Sequence, residues 1–493
     1  MGLPLMDSQP EVTKCGFSLN EHEKLSETAS VLKDAAACSG IFLRGLPPNQ
    51  DVLLTPPMTL FPVLLPEQPL QRILDLQTHI NLLQHRIAHD KSFLVSTLQG
   101  AASVDPFTRN LLHIYQQVDV DDQLELGLIR SDYMLHQIDG KQRPFDITKS
   151  AEYSYKQVEV NMQCVGLAGL SAMVNGVHNQ VLKFLDGKKV DRPHAIESLE
   201  LYGGGLRLAY EAYLKEYSTQ TGRPPVLLIV VHDGFEFNIN DQRLIEFESK
   251  LPAIRRSFRQ IGQNIRLDSR NRKLIVEERE VAVVYYRTGY APSQYSEEDW
   301  DTRLMMEQSK AVKCPTVAHQ LSGTKKMQQE LARPGVLQQF IQDANVRRSL
   351  TETFVGQWDI SKKEAEDVIQ HALDNPDRYV LKPNREGGGN NHFRQELITK
   401  IKEVRGTPEA QNYILMELIR PPTQENYLVQ PNREPEAAIT VSEVGVFGAI
   451  VAKGAKILYN ASGRDVLIRC KASNILEGGF ASGNSCISSS CVV

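Results

Sequence analysis

Between Leu70 and Leu98 the apolar residues Ile73, Leu76, Ile80, Leu83 and Ile87 recur at three- and four-residue spacings, which predicts a long amphipathic helix or a helix pair. A second helical pattern runs from about Ser18 to Ala37, behind a polar and irregular stretch, residues 1–20, expected to be flexible. Proline pairs at Pro47-Pro48 and Pro56-Pro57 separate these pieces. The pattern then shortens. Leu124 to Ile129 predicts a strand that ends in the polar run Arg130-Ser131-Asp132-Tyr133, and Lys156 to Asn161 alternates as a strand does. A helix is expected from about Gly169 to Leu185. The triplet Gly203-Gly204-Gly205 is expected to open a further helix ending near Ser218.

Past Pro224-Pro225, the apolar run Val226 to Val231 predicts a buried strand. A helix from Gln242 to Lys250, a strand at Ile254, a turn at Arg270-Asn271-Arg272 and a second buried strand from Val281 to Tyr286 follow. Strands alternating with helices predict a parallel α/β unit over about 222–325. The last third reads differently. A strand, Tyr379 to Lys382, runs into Gly387-Gly388-Gly389. A helix is expected over 394–405, and strands at Tyr413 to Leu418, Ile439 to Ser442, Val446 to Val451 and Lys456 to Asn460. Residues 484–493, rich in Ser and Cys, are expected to form a flexible tail. The division is therefore 1–20, 21–221, 222–325, 326–483 and 484–493.

Composition narrows the function classes. A length of 493 residues with 41% hydrophobic and 23% charged residues fits an ordinary multidomain globular chain. The net charge of −5 and the scattered basic residues leave no electrostatic footprint for nucleic acid. No apolar run approaches the ~18 residues of a membrane span. The opening MGLPLMDSQP has neither a basic region nor an apolar signal core. The expectation is a cytoplasmic protein, or a secreted one if a leader peptide preceded Met1. Seven cysteines form no C-x-x-C pair and the twelve histidines are dispersed, which predicts reduced thiols.

The usual nucleotide motifs are missing: no Walker A loop, no G-x-G-x-x-G opening a helix, no G-x-S-x-G elbow. The strongest chemical signal is Lys382-Pro383-Asn384-Arg385-Glu386-Gly387-Gly388-Gly389-Asn390-Asn391. A lysine ending a strand, followed by a flexible backbone stretch, suits phosphate, and Glu386 and Asn391 offer oxygen ligands for Mg²⁺. By itself the glycine triplet fits a surface turn equally well. Glu159 and Asn161 stand two apart on a strand, hence on one face; with Glu386 they suit two Mg²⁺ ions around a triphosphate. The apolar segment Tyr413 to Ile419, broken by Glu417, fits an adenine slot or a plain core strand. Arg130, Arg287 and Arg469 lie in polar contexts where a guanidinium fork suits a carboxylate. Cys164 and Cys470 have no histidine nearby in sequence and read as structural.

Taken in order, these segments resemble eukaryotic glutathione synthetase from about residue 20 to Gly483. The matching strings are RSDYM at 130–134, KQVEVN at 156–161, DQR at 241–243, AVVYYR at 282–287, QLSGTKK at 320–326, KPNREGGGNN at 382–391, YILME at 413–417, SEVGVFG at 442–448 and GGFASG at 478–483. The resemblance implies an α/β ATP-grasp fold, with an inserted parallel α/β substrate-binding domain at 222–325 and a glycine-rich lid in the second ATP-grasp part at 326–483. It implies a homodimeric ligase that joins γ-glutamylcysteine to glycine through an acyl phosphate. By matching positions, Glu159, Asn161 and Glu386 are the expected ligands of two Mg²⁺ ions. ATP is expected at Glu159, Lys325, Lys382, Glu386, Gly387, Gly388, Gly389, Asn390, Asn391, Phe393, Met416, Glu417, Leu418, Ile419, Glu443, Lys471 and Glu477. The dipeptide is expected at Arg130, Gln163, Cys164, Val165, Gly166, Glu236, Asn238, Gln242, Arg287 and Tyr290. Arg469, Phe480 and Ala481 are expected to close over the acceptor, with Arg130 and Arg469 as catalytic charges.

Four departures stand against the family pattern. Gln163-Cys164-Val165-Gly166 replaces a serine-bearing segment, Phe393 replaces a tyrosine, Leu418 replaces a lysine, and Phe480 replaces a small aliphatic residue. They keep two further readings open: a diverged ligase or effector with another dipeptide or amine, and a nucleotide-binding protein that has lost ligation.

Overall fold

The computed structural model describes residues 22–186, 196–217, 223–385, 389–480 and 483–493. Its central element is the strand Leu124–Gln137. The strand's alternate side chains enter two different cores, Leu124, Leu126 and Leu128 on one face and Ile129, Tyr133 and Leu135 on the other. The polar run at Arg130–Tyr133, expected to end the strand, is its middle. Antiparallel neighbours on both sides, Glu436–Lys453 and Tyr153–Asn161, keep the backbone paired through it, and Arg130 and Asp132 neutralise each other. The strands expected separately at Ile439, Val446 and Lys456 are likewise one long hairpin, Glu436–Lys453 against Lys456–Ala472.

These strands belong to a 13-stranded sheet among the described residues. At one end Arg279–Tyr286 pairs in parallel with Val226–Val230 and with Val312–Cys314, and Val226–Val230 pairs in parallel with Ala253–Arg256. Val226–Val230 is buried at every position, as a strand covered on both faces must be. The parallel set is continuous with the central sheet, because Lys313 pairs with Glu125.

The periodic region after Leu70 is a helix pair, Glu67–His89 and Lys91–Val104. The break falls at Asp90, whose carboxylate accepts from the Phe93 amide at 2.9 Å and so caps the second helix. The glycine triplet at 203–205 does not open a helix; it lies inside Glu197–Tyr217. A Cβ at Gly203 would stand 2.6 Å from Glu248 Cγ, so the missing side chain allows this helix to pack against the helix Ile239–Ser249.

A separate four-stranded antiparallel sheet holds Gln357–Asp359, Tyr413–Glu417, Tyr379–Pro383 and His392–Phe393. The helices Glu366–Asp374 and Arg394–Val404 cover it, around Ile369, Leu381, Leu397, Ile401 and Leu415. Among the described residues no helix is long and apolar enough to cross a membrane.

The tail contradicts the expectation of flexibility. Cys486–Ser488 pairs with the Lys456–Ala472 strand and with Met58, and Ser490–Val492 pairs with Val63–Leu65. Composition hid this, because Ile487 is the only large apolar side chain between Asn484 and Ser490, and it is fully buried. Ile487→Ala is therefore expected to cost about 2–5 kcal/mol of stability in urea unfolding, as a core truncation does; a loose tail would show no change.

Candidate active site

Neighbouring strands of the central sheet bring the first group of expected residues together. The register sets Arg130 opposite Asn161, Asp132 opposite Glu159, and Glu443 opposite Arg469. Asp132, which was not among the expected residues, is the hub. Its side chain is fully buried and accepts from Arg130 Nε at 2.6 Å, Arg130 Nη2 at 2.8 Å, Asn161 Nδ2 at 2.9 Å and Arg469 Nη2 at 3.0 Å. Arg469 also donates to Glu443. The one signal in the sequence was spacing: Asp132 stands two residues from Arg130 on a strand and so shares its face. Gly445 on the next strand makes room, since a Cβ there would lie 2.8 Å from Arg130 Cδ and 2.9 Å from Asp132 Oδ1.

Glu159 faces a cluster of cations. Lys325 Nζ lies 3.4 Å from its carboxylate, and Lys382 Nζ lies 3.5 Å from the carbonyl of Val158. Burial by itself would raise the Glu159 pKa. The charges of Lys325, Lys382, Arg469 and Arg130 outweigh it and hold the carboxyl well below the usual range. Burial pulls Lys382 down to about 8, although Glu159 opposes the shift. The same lysine lies in the field of Glu443 and Glu477, which ties this group to the next.

That next group lies around Glu477. Its carboxylate accepts from the Gly389 amide at 2.6 Å and from Asn391 Nδ2 at 2.9 Å, while Lys471 Nζ donates to the Leu476 carbonyl at 2.6 Å. A cleft of about 840 Å³ opens beside it, rimmed by Asp105, Arg385, Gly389, Asn390, Asn391 and Tyr413. Lys325 connects the cleft to the carboxylate cluster by donating to the Arg385 carbonyl at 2.7 Å. Glu386, Gly387, Gly388 and Ala481 lie outside the described residues.

The adenine-slot residues occupy the small sheet. Met416 is buried and pairs with Val380, which in turn pairs with Phe393. Glu417 accepts from the Gly356 amide at 3.0 Å, and the Leu418 amide donates to Arg378. Leu418 and Ile419 are half-buried.

The residues expected around the dipeptide form a third group. Arg130 Nη1 donates to the Gly166 carbonyl at 2.8 Å, and Arg287 donates to Val165. Two buried guanidinium groups thus hold segment 163–166. Gln163 Nε2 and Cys164 Sγ both reach the Thr288 carbonyl, at 3.1 and 3.2 Å. Asp241, also unexpected, ties the same segment down: it accepts from Leu167 and Gly169 amides at 2.9 Å and faces Arg287 at 3.4 Å. Cys164 and Leu167 take positive φ at 53° and 71°, a strained form more often met at functional sites than elsewhere. Gln242 Nε2 joins Glu236 at 2.8 Å and Asn238 at 3.1 Å. Tyr290 is half-buried, with its amide on Gln294.

One expectation changes in character and one is kept. Phe480, expected over the acceptor, buries its ring in the large core cluster that also holds Val165. An aromatic ring is more stable in that core than in solvent. Neither Cys164 nor Cys470 is poised as a nucleophile, because burial pushes each thiol up to about 12.

Known proteins resemble this chain over nearly its whole length. The family model described as eukaryotic glutathione synthase, ATP binding domain, matches residues 22–492. Human glutathione synthetase is 36% identical over 96% of this chain and 98% of its own length. The Dictyostelium discoideum enzyme is 32% identical over 94% of this chain and 98% of its own. Among solved structures, a glutathione synthetase-like effector from Globodera pallida superposes with a TM-score of 0.74 at 21% identity, over 96% of this chain and 98% of that one. The chain belongs to the eukaryotic glutathione synthetase family of ATP-dependent ligases.

Proposed function

We propose that the chain makes glutathione: ATP phosphorylates the cysteinyl carboxylate of γ-glutamylcysteine, and glycine then displaces the phosphate. In the first step the γ-phosphoryl group passes to a carboxylate oxygen and ADP leaves. In the second the glycine nitrogen attacks the acyl carbon, the C–O bond to phosphate breaks, and the amine gives up a proton. Such chemistry needs positioning and charge neutralisation more than covalent help.

The observation that carries this reading is Glu159, held ionised between Lys325 and Lys382. Asn161 beside it spends its amide nitrogen on Asp132, which leaves the carbonyl oxygen to act as a ligand. A hard oxygen pair of this kind fits Mg²⁺. Glu159, Asn161 and Glu386 would hold the ions, whose chemistry when bound is to neutralise phosphate charge. Lys325, Lys382, Asn391 and Lys471 bind the phosphates. The Met416–Ile419 segment and Glu443 take adenine and ribose. Arg130 and Arg469 neutralise the reacting carboxylate, and Arg287 with the 163–166 segment and Glu236, Asn238, Gln242 and Tyr290 seats the dipeptide. The whole is an ATP-grasp enzyme with a substrate domain at 222–325 and a lid around 478–483 that keeps water from the acyl phosphate. It acts as a cytosolic homodimer, and the free thiols of Cys38, Cys164, Cys314, Cys470 and Cys486 suit that compartment.

Incubating the protein with ATP, Mg²⁺, γ-glutamylcysteine and a panel of amines tests the reading. ADP release is expected only with glycine, with glutathione as the product by mass. An adduct of a different amine supports the second reading, a diverged ligase. That reading is motivated by segment 163–166, which carries no hydroxyl side chain. ATP bound without any product contradicts both and supports the third, a nucleotide-binding protein that has lost ligation.

A pH profile makes a further prediction. With its pKa near 8 in the free enzyme, Lys382 loses its ammonium charge as pH rises, so kcat/KM for ATP falls above about pH 8. Lys382→Arg keeps its charge and is expected to remove that limb, whatever its absolute rate.

A further inference from the structure

The histidines are dispersed in the sequence, but two of them meet on one face of a helix. His85 and His89 are four residues apart near the end of Glu67–His89, and both point at Glu125, near the start of the central strand. His85 Nδ1 lies 2.8 Å and His89 Nε2 2.7 Å from the same carboxylate oxygen, Oε1. Glu125 and His85 are buried.

The outer nitrogens decide the chemistry. His85 Nε2 sits 3.1 Å from the Gly454 carbonyl, and His89 Nδ1 sits 3.1 Å from Asp121 Oδ1. Both partners only accept, so both outer nitrogens carry the proton. In a neutral ring the inner nitrogen is then a lone pair, and two such lone pairs press on one carboxylate oxygen. The contact demands either two imidazolium cations on a single buried oxygen or one cation between the three groups. The first option is crowded: Lys313, itself buried, is the sheet partner of Glu125 and sends its amine to the Ser309 carbonyl.

An independent observation points the same way. His319 is fully buried, makes no hydrogen bond through either ring nitrogen, and directs Nδ1 at the other oxygen of Glu125 from 3.7 Å.

We propose that His85, His89 and Glu125 bind one Zn²⁺ ion, with His319 beside it on the buried side. Two imidazoles and a carboxylate form a zinc donor set. Outer nitrogens held by Asp121 and Gly454 are the supporting shell that orients such ligands. The ion would be structural. It would fasten the end of the Glu67–His89 helix to the strand that carries Arg130 and Asp132, next to the turn at Gly454.

The test uses the full chain, stripped with a chelator and titrated with Co²⁺ in the presence of excess Mg²⁺. One equivalent is expected to bind with visible ligand-field absorption, to be displaced by Zn²⁺, and to raise the thermal midpoint. His89→Ala is expected to remove the absorption band. Asp121→Asn, at an exposed position, is expected to weaken binding about 10–100-fold without changing the fold. Absence of the band, or a band that survives His89→Ala, overturns the proposal in favour of a protonated histidine–glutamate cluster. If His89→Ala does not fold, undiminished affinity in Asp121→Asn overturns it equally.

Discussion

Asp132→Asn is expected to lower kcat/KM by roughly 100–1000-fold, the scale seen when one charge-stabilising contact is lost at a reacting centre. The reasoning is geometric. One buried carboxylate fixes two guanidinium groups and the amide of Asn161 through four short contacts. Asparagine matches the shape but carries no charge, and its amide turns donors toward the arginine donors. Arg130 and Arg469 then lose both their counter-charge and their aim. Arg130 would also loosen its hold on the Gly166 carbonyl, so the dipeptide KM should rise along with the loss in kcat. Asp132→Ala goes further, leaving buried cations unpaired, and is expected to cost about 3–5 kcal/mol of stability in denaturant unfolding. A variant Asp132→Asn with near-normal kinetics would show that the arginines do not act at the reacting carboxylate.

Glu159→Gln carries the second large effect, a fall in turnover on the order of 1000-fold, equivalent to several kcal/mol of charge stabilisation. The same change has an opposite consequence for the nucleotide alone. Glu159 is an anion beside the lysines expected to meet the triphosphate. Removing it frees their charge, so ATP should bind several-fold more tightly without Mg²⁺ while the reaction is lost. Calorimetric titration in a chelator, set beside steady-state rates, checks both signs. Loss of rate and of ATP affinity together would mean a damaged site instead of a missing ligand.

What the sequence made legible was the placement of candidate residues on local strings. Glu159 and Asn161 two apart on a strand, and Lys382 at a strand end before glycines, announce themselves through period and position. The helix pair after Leu70 and the buried strands at Val226 and Val281 were legible for the same reason, since their apolar period is continuous. What stayed hidden depends on partners remote in sequence. Asp132 looked like the end of a strand because its partners, Arg469 and Asn161, come from other strands. Asp241 binds amides more than seventy positions earlier. Gly203 looked like a helix start because its reason, Glu248, lies on another helix. The tail looked loose because its stability comes from pairing with Met58 and Val63–Leu65 at the far end of the chain.

The most direct measurement is a crystal structure with a non-hydrolysable ATP analogue and Mn²⁺ in place of Mg²⁺, read by anomalous scattering. Manganese peaks are expected about 2.0–2.3 Å from a Glu159 carboxylate oxygen and the Asn161 side-chain oxygen, with phosphate oxygens on Lys325 and Lys382. A nucleotide seated elsewhere, with no metal peak within reach of Glu159, would contradict the account.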